Sequence, residues 1–112
     1  MWLITKFGFF SVVEKREDQG NDTLTIRARS EKDLTNLRGA YLPKMGEIRE
    51  GEGTDYKYRA TASREDIAKA FMRAIQDIRY SNFKDEVKKV QGDQRASVYG
   101  WVWDSLYSIR DE

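Results

Sequence analysis

Four cations stand at alternate positions in two short stretches of this chain, Arg27 and Arg29 in one, Lys57 and Arg59 in the other. A guanidinium presents a rigid fork of N–H donors that grips phosphate or carboxylate oxygens two at a time, so these four side chains on one surface would form an anion-binding patch. That chemistry needs an element that points alternate residues the same way, which is a β-strand. A sheet face of this kind suits RNA or single-stranded DNA. The plainer alternative is a solvated face whose cations pair across strands with Glu14 or Glu50.

A second group is acidic. Glu47, Glu50, Glu52 and Asp55 precede Lys57 in a glycine-rich stretch. An Asp-x-Lys string with an upstream acid is part of the apparatus by which metal-dependent nucleases hold Mg²⁺ and steady the attacking water. A metal-dependent phosphodiesterase using Glu52, Asp55 and Lys57 is therefore the enzymatic alternative. Such strings also arise by composition alone in a chain that is 35% charged, where they form solvated loops. Gly46, Gly51 and Gly53 are not followed by Gly-Lys-Ser/Thr, and no phosphate-cradling loop is built. Lys6-Phe7-Gly8-Phe9-Phe10 is distantly like the aromatic signature of RNA-recognition motifs, but its spacing does not match, and these rings are expected in the core.

The chain contains no histidine and no cysteine. This removes the usual general base near neutral pH, the Ser-His-Asp and Cys-His arrangements, thiolate metal sites and disulfides. A non-enzymatic binding or interaction module without a cofactor is the leading reading, with a protein as the first expected partner and nucleic acid as the second.

The elements that must position these residues follow from periodicity. Residues 2–15 form a β-branched and aromatic run that reads as two strands or as one strand bent at Gly8, and Gly20-Asn21-Asp22 supplies a hairpin loop. Residues 46–54, with three glycines, read as a loop or a weak edge strand. From Thr23 the pattern alternates, with Leu24, Ile26 and Ala28 on one face and Thr25, Arg27 and Arg29 on the other. Residues 55–62 alternate again, with Tyr56, Tyr58, Ala60 and Ala62 opposite Lys57, Arg59 and Thr61. Helices are predicted after the caps Ser30, Ser63, Ser81 or Asn82, and Asp93. Two strands with one polar face each imply an α+β fold of two layers. Its sheet is antiparallel or mixed, has three to four strands, carries helices on one face, and is ferredoxin-like at most in part.

On the last predicted helix Val98, Tyr99, Val102, Trp103, Leu106, Tyr107 and Ile109 cover about half the circumference. Tyr99, Trp103 and Tyr107 repeat at i, i+4, i+8 and are the expected interface of a homodimer. No linker or repeat argues against a single domain over 1–112, and no apolar run approaches the length of about 18 residues that a membrane span needs. The formal charge of +1 leaves no global field to draw the chain onto nucleic acid or an anionic membrane, and any charge-driven function must be local. A soluble, cytoplasmic protein is expected.

After Met1 the chain carries Trp2-Leu3, then Gly8-Phe9-Phe10-Ser11, Gly53-Thr54-Asp55-Tyr56, Tyr58-Arg59-Ala60, Asn82-Phe83-Lys84 and Tyr99-Gly100-x-Val102-Trp103. Over nearly its full length it resembles a group of small bacterial proteins for which no activity, cofactor or catalytic residue is assigned. The resemblance implies a bacterial, cytoplasmic origin and transfers no functional role.

Overall fold

The computed structural model describes residues 1–51 and 55–111. The chain comprises two compact units, Met1–Ile78 and Arg79–Glu112. In the first unit the described strands are β1 (Trp2–Thr5), β2 (Gly8–Val13), β3 (Thr23–Ala28), β4 (Arg49–Glu50) and β5 (Tyr58–Ser63). They form one sheet in the order β1-β2-β3-β5-β4, every neighbouring pair antiparallel. Helices α1 (Glu31–Ala40) and α2 (Arg64–Gln76) cover one face of it. This is the two-layer α+β class that the alternating segments predict, with five strands where three to four are expected. The first apolar run divides into a hairpin, the two-strand form of the two that its sequence allows. Within the stretch 46–54, expected as a loop or a weak edge strand, Arg49–Glu50 forms the edge strand β4.

The hairpin divides at Lys6-Phe7 because Thr5 organises the turn. Its hydroxyl accepts from the N–H of Phe7 at 3.2 Å and of Gly8 at 3.0 Å and donates to the Gly8 carbonyl at 2.8 Å. Gly8 then opens β2 under α1, where a Cβ would stand 2.7 Å from Phe10 Cζ and 2.8 Å from Asp33 Cβ. That close approach lets the Asp33 carboxylate accept from Phe9 N–H at 2.9 Å and Asn36 Nδ2 donate to the Phe7 carbonyl at 3.0 Å. Two side chains thus fasten α1 to the hairpin.

Between β2 and β3 a single turn of 3₁₀ helix (Arg16–Asp18) leads into Gly20 and Asp22, both in the left-handed region at φ +82° and +57°. The core lies between the sheet and the two helices. Phe10, Ile26, Ala28 and Ala60 project from the strands onto Leu34 and Leu37 of α1 and Ile67 and Ala70 of α2, with Leu42 closing one end. Each large apolar side chain buried there contributes about 1.5–3 kcal/mol.

In the second unit α3 (Phe83–Gln91) and α4 (Asp93–Leu106) meet at Gly92, whose φ of +93° allows the abrupt reversal. Asn82 caps α3 by accepting from Asp85 N–H at 3.0 Å. Asp93, the expected cap of the last helix, is instead its first helical residue, and Gly92 takes the cap position without a side-chain bond. The rings of Phe83 and Tyr99 stack with centroids 6.0 Å apart and planes within 6°, and Val87 of α3 and Ala96 of α4 are buried. No helix among the described residues is long and apolar enough to cross a membrane.

Candidate functional site

The face of the sheet away from α1 and α2 carries the arginines. Register places Trp2 opposite Ser11, Ser11 opposite Arg27, Arg27 opposite Arg59 and Arg59 opposite Arg49, one line across all five strands. Neighbouring strands are about 4.8 Å apart, so three guanidinium-bearing residues stand side by side on β3, β5 and β4. Like charges at that spacing repel unless each is held.

Each of them is held. Arg27 Nη2 donates to Ser11 Oγ at 2.7 Å, and its guanidinium lies 4.5 Å from the centroid of the Tyr56 ring. Arg29, just past the end of β3 and exposed, places its guanidinium 5.6 Å from the same ring. Arg59 Nη2 donates to the Tyr56 carbonyl at 3.2 Å. Its guanidinium rests so close to Gly51 that a Cβ there would come within 2.6 Å of it. Arg49 Nη2 donates to Thr61 Oγ1 at 3.3 Å. Phe9, also on this face, meets the Tyr56 ring at 6.3 Å. The buried Nε of Arg27 has no hydrogen-bond partner, a desolvation cost of about 1–3 kcal/mol carried within the patch.

A carboxylate closes one side. Asp18, buried beneath the 3₁₀ turn, accepts from Lys15 N–H at 2.8 Å, Thr23 Oγ1 at 2.7 Å and Thr25 Oγ1 at 2.8 Å. Burial pushes its pKa up, but those three hydrogen bonds and the charge of Arg49 outweigh that and hold the group below the ordinary carboxylate value. Asp18 is therefore a structural anion whose lone pairs are engaged by neutral donors.

Of the four cations read from the sequence, Arg27, Arg29 and Arg59 gather at this face. Lys57 does not join them. Its Nζ lies 5.6 Å from the ring of Tyr58, a residue packed against the helix-side core. The reason is a bend at residues 55–57, so that β5 begins only at Tyr58 and the alternation does not extend back through Lys57. For the same reason Tyr56, which the alternation assigns to the helix side, is buried under Arg27 on the open face. Sequence reasoning misses Arg49, Ser11 and Asp18. Arg49 sits in a strand too short to show a period, and Asp18 in a loop with none.

Glu14, expected across from the cations, pairs with Arg64 at 2.8 Å, and Glu50 stands opposite Tyr58. For the acidic alternative, Glu52 lies outside the described residues and Asp55 is exposed. Among the described residues no group of three or more acidic side chains is placed to hold a metal ion. Of the expected helix interface, Tyr99 is buried against Phe83, while Trp103 and Tyr107, 63% and 68% exposed, form an edge-on pair at 5.2 Å. Comparison of the chain with protein-family models, curated proteins and solved structures gave no match.

Proposed function

We propose that this protein is a small non-enzymatic binding module that holds RNA or single-stranded DNA by its phosphates against the open face of the sheet. The observation that supports it is the line of Arg27, Arg59 and Arg49 across adjacent strands, flanked by Arg29. Guanidinium groups already fixed by Ser11, Tyr56 and Thr61 lose little conformational freedom when they take up an anion, which favours a polyanion over a neutral protein surface. An open sheet face bearing cations and aromatic rings also suits an extended single strand. A cysteine-free chain suits a reducing compartment, and a cytoplasmic setting belongs to this proposal.

Fluorescence anisotropy with labelled oligouridylate and oligothymidylate at several salt concentrations tests this reading. Arg29 and Arg49 are both exposed, so Arg29→Gln with Arg49→Gln removes cations without opening the core. For each phosphate no longer neutralised, the slope of log K against log salt should shrink by about 0.7, and binding at low salt should weaken. Charge reversal at Arg27 and Arg59 together should abolish binding. An unmodified protein that binds neither oligonucleotide at low salt rules the reading out.

A further inference from the structure

The two edges of the sheet are unlike. β4 is two residues long and both, Arg49 and Glu50, are charged, which is how natural edge strands avoid pairing with other chains. β1 reads Trp2-Leu3-Ile4-Thr5, without charge or proline, pairs with β2 at all four positions, and has no strand on its outer side among the described residues.

Its outward hydrogen-bonding groups can be assigned. Met1 N donates to Val12 O at 3.0 Å and Val12 N donates to Met1 O at 2.8 Å, a reciprocal pair. Alternation along an antiparallel ladder then turns the N–H and C=O of Leu3 and Thr5 toward β2 and those of Trp2 and Ile4 outward. Side chains alternate in step. Trp2 and Ile4 stand on the open face with Ser11 and Phe9, and Leu3 stands on the helix side with Phe10. Trp2 is 71% exposed and rests edge-on against Phe9 at 6.0 Å, a large apolar ring left bare at the rim.

We propose that β1 pairs antiparallel with β1 of a second copy about a two-fold axis through Leu3. In that register Trp2 stands opposite the second copy's Ile4, and Ile4 opposite its Trp2, so all the outward N–H and C=O groups of β1 are engaged. The two Leu3 side chains meet at the close, non-hydrogen-bonded position on the helix side. A register centred on Ile4 would set Trp2 against Lys6 of the turn. The occupant is a second copy because each apolar side chain of β1 then meets an apolar side chain and no charge faces its like. The axis is perpendicular to the sheet and keeps both open faces on one side, which brings two arginine lines onto one surface. The inference does not rest on the nucleic-acid reading, since association state alone decides it.

Sedimentation equilibrium and amide hydrogen exchange on the full chain test it. A dimer is expected at about a hundred micromolar, with the Trp2 and Ile4 amides protected. Dilution by about a hundredfold should expose those two amides while Leu3 and Thr5 stay protected. Ile4→Pro removes only an outward N–H at an edge position, where proline is tolerated, and should weaken association by at least about tenfold while the fold is kept. Ile4→Val and Trp103→Glu should both remain dimeric. A monomer at every concentration overturns the proposal. So do a dimer that survives Ile4→Pro, dissociation by Trp103→Glu alone, and Trp2 and Ile4 protection that appears only when another protein is added. If Ile4→Pro does not fold, the dilution dependence of the Trp2 and Ile4 amides in the unmodified chain decides between dimer and monomer.

Discussion

Asp18 carries the loop between β2 and β3, since its two carboxylate oxygens take three hydrogen bonds that tie Lys15, Thr23 and Thr25 together. Because burial is outweighed by those donors and by Arg49, its folded pKa lies below the unfolded value of about 3.9. A depressed carboxylate adds stability that is present above the unfolded pKa and lost as pH falls through the folded one. The urea midpoint should therefore drop on acidification from about pH 5 to about pH 3, and Asp18→Asn should flatten that part of the profile. An amide turns an N–H₂ toward groups that need an acceptor, at a cost of about 1–3 kcal/mol near neutral pH. An Asp18→Asn protein that keeps the acid profile of the unmodified one would contradict this role. Nothing in the sequence singles Asp18 out, because its three donors are gathered by a loop conformation and not by a period. Arg27 and Arg59 are legible for the opposite reason, each lying within a strand whose alternation fixes its face.

At the scale of elements, two serines with the same apparent role do different work. Ser63 accepts from Asp66 N–H at 3.0 Å and caps α2, whereas the Ser30 side chain makes no cap bond at the start of α1. Ser63→Ala should cost about 1 kcal/mol and Ser30→Ala only a few tenths, measured by thermal or urea unfolding. Equal losses at the two sites would show that the hydroxyl bond is not what matters. The sequence pattern is the same in both cases, a serine followed three residues later by aspartate. What separates them is where the third N–H goes: at α1 the Asp33 N–H donates to the Ser30 carbonyl at 3.2 Å and not to its hydroxyl, while the Asp33 carboxylate accepts from the N–H of Phe9, across the space that only Gly8 leaves open. Helix starts, the β3 alternation and the Gly20–Asp22 loop are local and readable from sequence. The bend at residues 55–57, which moves Tyr56 to the arginine side and Lys57 away from it, depends on where β5 meets β3, and no local period reports that.

At the scale of the whole chain, the two units differ in how much core they own. Met1–Ile78 buries Phe10, Ile26, Leu34, Leu37 and Leu42 almost completely between two layers, and its strands are linked by ladders of long sequence separation. Arg79–Glu112 holds α3 and α4 with Val87, Ala96 and Tyr99 as its buried side chains, while Trp101, Trp103, Leu106 and Tyr107 remain exposed. A helical hairpin below about 40 residues rarely stabilises itself without staples, and this chain has no cysteine to supply one. Stability should therefore be uneven. Native-state hydrogen exchange is expected to show α3 and α4 opening at a free energy several kcal/mol below that of β2, β3 and β5, whose amides should approach the global value. Tyr99→Ala removes the ring stacked on Phe83 and should lower protection in α3 and α4 by about 3 kcal/mol or more, leaving protection in β3 unchanged. If β3 loses protection in step with α4, the two units open together, and the helical hairpin draws its stability from more than its own core.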